Sequence, residues 1–531
     1  MPSPPTVSTP IRKLMEMVDR DELILPEIQR EFVWQPRSVI LLFDSLFRQL
    51  PIGHMLVWKA RRPVRSKGFY GRKAPSGSTI DSFYGYLLDG QQRITALTRV
   101  RDADEKYPLM FYAFPDRESE NADPFVWRRK WHAESPWYIS VRDLITGDFD
   151  VLKYLREIKE DEYYKPEFES RIHDELLNVK QLLDYQIGVI EFETDDYRAA
   201  TELFIRFNST GTKLKKSDLF LAELAVEVPG LVVSDIQRAA QKYANFGFTM
   251  PFLTQCLLAV CTRRLRTKAR SAWSGSENSE IKDAWRRTER GLGHVIRLLT
   301  GTVRWQSGSL IPSFNALIPL LFVAAENDGI GTSESSLARR WLLLTGIRGH
   351  FSGSAHTEID RLLRRLTPNA SIQELCKATG SSSLKKLRPN EFVASRISGP
   401  LMSLYVSMLA ENDARDWCDH HARLDGTVSG HNARLQVHHF FPQSLLRKHG
   451  WGEDEINTVA NYTLLSAGTN LKVWAEEPAT YMKRVLVPEA QLTKQCIPLN
   501  RDLWHLERYG DFLEERRKLM ATAANDFLDA K

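Results

Sequence analysis

Apolar positions along the chain change period several times, and each change marks an element. The run Ile11–Asp19 carries helical spacing. Val39, Leu42, Phe43, Leu46, Phe47 and Leu50 follow Ser38 at i, i+3, i+4 intervals, which predicts an amphipathic helix stopped by Pro51-Ile52-Gly53. Met55-Leu56-Val57-Trp58, Tyr86-Leu87-Leu88 and the stretches 109–114 and 187–192 are apolar runs of strand length. Residues 150–183 are charged and read as helical. Phe204-Ile205-Arg206-Phe207-Asn208 alternates as a strand does, which would put Arg206 and Asn208 on one face. From 220 to about 409 the period is helical, and a last helix spans about 511–528, with Phe512, Leu519, Met520, Ala523 and Phe527 as its inner face. Residues 1–10 read as a loose arm and 61–82 as a Gly-, Ser- and basic-rich surface loop.

This pattern predicts an α+β multidomain protein. At roughly 150 residues per domain, 531 residues make about three. The boundaries are drawn at 1–225, 226–410 (a helical spacer) and 411–531.

Composition narrows the class. Hydrophobic residues make up 43%, enough for real cores. A net charge of +5 excludes a bulk polycation but leaves local basic patches open. The start of the chain lacks the apolar segment of a signal peptide. The longest apolar run, 316–325, is interrupted by Pro319 and too short to span a bilayer. Five scattered cysteines form no Cys-x-x-Cys pair, against a disulfide framework or a structural zinc site. A soluble, cytoplasmic protein with no membrane partner is expected.

The densest chemistry lies at Leu435-Gln436-Val437-His438-His439-Phe440-Phe441-Pro442-Gln443, followed by Asn461 and Asn470. Neighbouring side chains of a strand point to opposite faces, so His438 and His439 cannot share one task. One can face a metal and the other a substrate. A neutral imidazole can take a proton from water near neutral pH. A hard divalent ion such as Mg²⁺ stabilises phosphoryl oxygens and needs only one or two protein ligands. An Asn side chain can orient the base by hydrogen bonding. His, a central Asn and a later Asn form the residue set of a ββα-metal phosphodiesterase. Ordinary strand and turn residues are the plain alternative.

His438-His439-Phe440-Phe441-Pro442-Gln443, then Val459-Ala460-Asn461-Tyr462-Thr463-Leu464-Leu465 and Asn470, resembles the HNH nuclease half of GmrSD-type modification-dependent restriction endonucleases. The resemblance implies His439 as general base, Asn461 as the residue orienting it, and His438 and Asn470 as ligands of Mg²⁺ or Mn²⁺. The chain departs at His438, where many relatives carry an acid, and at Ala460 and Tyr462, where many carry Gly and Leu. A His ligand in place of a carboxylate changes the preferred metal.

Toward the N-terminus, Asp89-Gly90-Gln91-Gln92-Arg93 joins a strand to a helix. A Gly turn at a helix start offers backbone N–H groups and the positive end of the helix dipole, and Arg93 adds a guanidinium fork suited to phosphate. A well-capped turn whose Arg pairs with an acid is the alternative. Together with Gln29-Arg30, Phe32-x-Trp34, Pro51-Ile52-Gly53 and the 204–214 segment, this pentapeptide resembles the ParB-related half of the same family. That implies a ParB/sulfiredoxin-like domain binding a nucleoside triphosphate (GTP or ATP) through Gln29, Arg30, Asp89, Gly90, Gln91, Gln92, Arg93, Arg206 and Asn208. The dense positive charge at Arg263, Arg264, Arg266, Lys268 and Arg270 is either a DNA contact or a solvated face.

The reading is a metal-dependent DNA endonuclease acting on modified or foreign DNA in defence, its HNH site regulated by a nucleotide-binding half expected to act as an NTPase. DNA and a nucleotide are the expected partners, with a second copy of the chain as a candidate. The alternative is a nucleotide-gated DNA-binding regulator with a degenerate nuclease module.

Overall fold

The computed structural model describes residues 6–29, 32–61, 64–67, 69, 83–114, 123–209, 216–266, 273, 276–327, 329–393, 399–425, 435–470, 473 and 476–530, without the side chains of 133, 208, 209, 216, 217, 233 and 435. The chain forms two compact units, Met1–Ser234 and Asp235–Lys531.

The first unit is built on a six-stranded mixed sheet in the order β1-β9-β3-β5-β2-β4. Its strands are β1 (Thr6–Pro10), β2 (Leu23–Pro26), β3 (Met55–Lys59), β4 (Ser66–Lys67), β5 (Gly85–Asp89) and β9 (Gln186–Glu193). The two central strands are apolar up to their last residues, Lys59 and Asp89, because both faces are covered. Met55, Leu56, Val57 and Trp58 are buried, as are Tyr86, Leu87 and Leu88. Helix α1 (Ile11–Asp19) buries Ile11, Leu14, Met15 and Val18, and α2 (Pro36–Phe47) buries Val39, Ile40, Leu42, Phe43 and Leu46. Pro36 opens α2, where a missing N–H costs nothing. Helix α3 (Gln91–Arg101) leaves β5 through Gly90. A second sheet orders β7 (Phe125–Trp127), β6 (Leu109–Tyr112) and β8 (Tyr138–Ser140). Helices α4 (Val141–Thr146), α5 (Val151–Glu157) and α6 (Glu169–Lys180) fill the charged stretch, and α7 (Tyr197–Ser209) and α8 (Lys216–Glu227) follow β9.

Two expectations change here. Residues 6–10 are no loose arm: β1 pairs antiparallel with β9, from Thr6 opposite Ile190 to Pro10 opposite Gln186. The 204–209 segment is the end of helix α7, not a strand. Ala200, Thr201 and Phe204 are its buried positions, a three-to-four spacing that outweighs the alternation over five residues. The strand alternation that would put Arg206 and Asn208 on one face therefore does not apply.

The second unit takes in both the helices after 234 and the C-terminal segment. Gly291, in the helix Asn278–Arg297, lets the helix Leu317–Glu326 pass so close that a Cβ there would meet the Ala325 nitrogen at 3.1 Å. Trp305 donates to the Ser403 carbonyl at 3.2 Å and Arg340 pairs with Asp529 at 2.6 Å. Within this unit β10 (Leu435–His439) and β11 (Tyr462–Ser466) form a separate antiparallel pair, followed at once by a short helix, Ala467–Asn470. Among the described residues no helix is long and apolar enough to cross a membrane.

The last helix, Tyr509–Asp529, covers this pair. Phe512 lies 4.9 Å from Phe440 and 5.0 Å from Phe441, ring centre to ring centre. Leu519, expected inside, is 37% exposed. The inward position instead holds Arg516, which is fully buried. Its guanidinium donates to the carbonyls of Ala460 (2.9 Å) and Tyr462 (2.6 Å), and to the Gln495 carbonyl and Tyr405 hydroxyl (3.3 Å each).

Replacing Arg516 by leucine strips these carbonyls of a charged donor inside the core. Such losses cost about 1–3 kcal/mol per buried group, so a destabilisation of about 2–4 kcal/mol is expected. Denaturant unfolding should show a lower midpoint with an unchanged slope; an unmoved midpoint contradicts the role.

Candidate functional site

Strand alternation does separate the two histidines. His438 stands opposite Thr463 and His439 opposite Tyr462. On one face, His438 Nδ1 lies 2.7 Å from Asn470 Oδ1, and Asn470 Nδ2 donates to Gln436 Oε1 at 2.7 Å. The other ring nitrogen, Nε2, is buried with no hydrogen-bond partner among the described residues. Burial pushes the His438 pKa down from 6.5 to about 4, only partly offset by Asn470. The imidazole is therefore neutral at physiological pH, the form a metal requires of a histidine.

The 2.7 Å contact is a hydrogen bond accepted by the amide oxygen; with the ring proton on Nε2 instead, Nδ1 and Oδ1 could serve as two ligands of a divalent cation. Adjacent ligands of an octahedral Mg²⁺ site, with bonds of about 2.0–2.1 Å, stand roughly 2.9 Å apart. A neutral His and an amide oxygen supply no negative charge, so phosphate and water must complete the shell.

On the other face, His439 Nε2 lies 3.0 Å from Asn457 Oδ1 and 2.9 Å from Gln443 Nε2, and Gln443 also donates to Asn457 Oδ1 at 2.9 Å. Asn457 Nδ2 donates to Glu453 Oε2 at 2.9 Å, and Glu453 is paired with Arg447 at 2.6 Å. The ring packs edge-on against Tyr462, with centroids 4.9 Å apart. Tyr462 is thus a wall of this face. Burial lowers the His439 pKa, with Asn457 pulling the other way.

Asn461 is fully buried and serves the loop rather than the ring. Its Oδ1 accepts the Phe441 N–H at 2.9 Å, and its Nδ2 donates to the carbonyls of Phe441 and Ile456, both at 3.1 Å. The expected hydrogen bond to His439 is replaced by this backbone clamp, because Asn461 sits at the turn and Asn457 beside the ring. Sequence reading also missed Asp416. Its buried carboxylate accepts the N–H groups of Ser466 (2.7 Å), Cys418 (3.0 Å) and Asp419 (2.9 Å) and the Thr469 hydroxyl. It fixes the turn from β11 into the short helix that ends on Asn470.

In the first unit, Gln29, Asp89, Gly90, Gln91, Gln92 and Arg93 line one cleft of about 500 Å³, with Trp34, Ser38, Gly53, His54 and Phe207 among its other walls. Gly90 adopts φ +102°, and a Cβ there would meet Met55 Cγ at 2.8 Å, so both conformation and space demand glycine. Arg93 braces the wall: it pairs with Asp89 at 2.7 Å and donates to the carbonyls of Ile52 (2.6 Å) and His54 (2.7 Å). Gln29 donates to the carbonyls of Leu87 (2.8 Å) and Leu88 (2.6 Å), tying the 26–29 turn to β5. Gln92 accepts the Val33 N–H at 2.9 Å. Arg206 pairs with Glu202 at 2.6 Å on the exposed side of α7 and does not line the cleft. Arg30 and the Asn208 side chain lie outside the described residues.

The basic run is partly committed to the fold. Arg263 donates to the Leu366 carbonyl at 3.0 Å, and Arg266 to the Thr357 hydroxyl at 3.1 Å. Lys268 and Arg270 are not described. Glu477, His505 and Glu507 bring three ligand atoms together within 4.8 Å at the surface of the second unit.

Residues 11–225 match the family model described as the GmrSD restriction endonuclease, N-terminal domain. The match runs from α1 into α8, leaving out β1 but taking in the cleft, and supports a GmrSD-type relationship for the first unit. The chain is also 20% identical to an uncharacterized protein of Methanocaldococcus jannaschii, over 90% of this chain and 87% of that protein. The likeness to a restriction-endonuclease domain is thus confined to residues 11–225, and the second unit lies outside the matched segment.

The neutral His438 generates a pH prediction. Its folded pKa lies below its unfolded one, so between about pH 6.5 and 4 the unfolded chain binds the extra proton. Stability is lost as pH falls through that window, by up to about 3 kcal/mol for this group. Unfolding midpoints of wild type and His438→Gln should therefore differ in their acid sensitivity, the wild type losing more between about pH 7 and pH 4.5. Parallel losses contradict the buried neutral imidazole.

Proposed function

We propose that the chain is a metal-dependent DNA endonuclease whose second unit hydrolyses the phosphodiester and whose first unit regulates it by binding a nucleoside triphosphate. The observation that carries the reading is the division of labour between adjacent histidines. His438 meets Asn470 on one face, while His439 meets Asn457 and Gln443 on the other. A strand pair followed directly by a one-turn helix bearing the last Asn is consistent with the ββα arrangement of an HNH site.

In this reading His439 takes the proton of the attacking water, and His438 and Asn470 hold the cation. The bound cation supplies charge stabilisation at the phosphoryl and leaving oxygens. Asn461 holds the backbone at Phe441, two residues past the base, so the ring keeps its place as charge develops. Tyr462 shields the imidazole on one side and keeps it partly dry. Attack by water leaves 5′-phosphate and 3′-hydroxyl ends.

The cleft around Asp89-Gly90-Gln91-Gln92-Arg93 takes the nucleotide, and hydrolysis there would make the chain an NTPase as well. Gly90 and the first turn of α3 form its anion-binding wall. Arg93 shapes that wall through Ile52 and His54 rather than reaching out as a phosphate fork. The likeness of the first unit to a restriction-endonuclease domain supports modified or foreign DNA as the substrate and defence as the purpose.

Supercoiled plasmid, modified and unmodified, with Mg²⁺ or Mn²⁺ and with or without GTP or ATP, tests this directly. Wild type should cut, and His439→Ala should lower the rate by about 10²–10⁴, the usual worth of a general base. Tight DNA binding without cutting under every condition would replace the reading with a nucleotide-gated DNA-binding regulator.

A further inference from the structure

The nitrogen of His439 nearest its neighbours faces two amides of opposite sense. Asn457 offers it an acceptor oxygen at 3.0 Å, and Gln443 offers it an NH₂ at 2.9 Å. Only one arrangement leaves the ring useful as a base. If Nε2 carries the proton, it donates to Asn457 Oδ1 and the lone pair sits on Nδ1. If Nε2 accepts from Gln443, the proton sits on Nδ1 and no basic nitrogen remains for water. The Gln443 NH₂ has a second outlet, because it lies 2.9 Å from the same Asn457 oxygen. Asn457 is held in turn: its Nδ2 donates to Glu453, whose carboxylate takes two bonds from Arg447 at 2.6 and 3.1 Å. A carboxylate drawing on the amide N–H makes the amide oxygen a stronger acceptor.

We infer that Asn457 is the positioning residue of His439: it holds the imidazole in the Nε2–H tautomer, with Nδ1 left as the base. The inference rests on the endonuclease reading for its consequence in catalysis, but the tautomer itself does not. When Nδ1 takes a proton from water, the imidazolium keeps its Nε2–H···Oδ1 bond, so no partner has to move. Glu453 and Arg447 act one step further out, fixing which way the Asn457 amide points. This task falls to a residue four positions before Asn461.

Two readouts on the full-length protein separate this inference from the reading beneath it. The first is ¹⁵N NMR of histidine-labelled protein at a pH where the ring is neutral, with the His439 signals identified by their loss in His439→Ala. Wild type should show the Nε2–H tautomer, and Asn457→Leu should shift the ring to a mixture or to Nδ1–H. The second is plasmid cleavage. Asn457→Leu should lower kcat by about 10–100-fold, the range for residues that orient a site's working groups, with KM for DNA and the thermal midpoint unchanged. Asn457→Asp combined with Glu453→Gln keeps an acceptor oxygen facing the ring and a donor–acceptor pair behind it, and should retain most of the rate. An Nδ1–H tautomer in wild type, or a tautomer indifferent to Asn457→Leu, overturns the inference whether or not the protein cuts. Equal losses in both variants with a lowered midpoint overturn it as well, since the residue would then be structural. Wild type that holds the Nε2–H tautomer through Asn457 yet cuts nothing overturns the endonuclease reading alone.

Discussion

One guanidinium, that of Arg516, is sealed inside the second unit with the backbone on either side of Asn461 as its main partner. It reaches from the last helix to the carbonyls of Ala460 and Tyr462, and no carboxylate bonds to it among the described residues. A buried cation held by carbonyl dipoles is costly unless its partners stay in place, so the guanidinium and the turn hold each other. Everything at the candidate site hangs from that turn. Asn461 clamps Phe441, which follows the two histidines by two residues, and Tyr462 begins the strand that pairs with them. The last helix is therefore part of the site, although none of its side chains reaches the histidines' polar atoms.

A second buried charge holds the opposite end. Asp416 gathers two N–H groups of its own loop, the Ser466 N–H and the Thr469 hydroxyl where β11 turns into the short helix. The site is thus pinned at both ends of β11, by a cation at the start and an anion at the finish. Between them the strand contributes Thr463, Leu464 and Leu465, all buried. Such over-determination keeps the 2.7 Å contact between His438 and Asn470, since a rotation of the short helix would carry Asn470 away from His438. The first unit uses the same economy differently. Arg93 and Gln29 spend their polar groups on backbone carbonyls, and glycine at 90 leaves room at the cleft wall.

Long apolar runs and local motifs were legible in the sequence. The central strands β3, β5 and β9 and the helices α1 and α2 follow directly from period and stop signals, and the opposed roles of His438 and His439 follow from strand alternation alone. What could not be read depends on distant partners. Thr6–Pro10 looks like an arm until β9 offers it an edge. The 204–208 stretch alternates like a strand, and only the longer repeat through Ala200 and Phe204 makes it a helix. Arg516 breaks the hydropathy of its helix face, so a pattern search discards it and gives the place to Leu519. Asn457 carries no local signal at all: its importance appears only when the loop folds back and sets it 3.0 Å from His439. The Arg93 fork was legible as a residue type but not as a brace, because the carbonyls it binds lie some forty residues earlier.

The central claim is that His438 and Asn470 form the seat of a divalent cation. Crystals of the protein soaked in Mn²⁺ test it with the least intermediate reasoning, through the anomalous signal of the metal. The account predicts a peak within bonding distance of a His438 ring nitrogen and Asn470 Oδ1, absent in Asn470→Ala. A peak at the surface trio Glu477, His505 and Glu507, with none between His438 and Asn470, would contradict it.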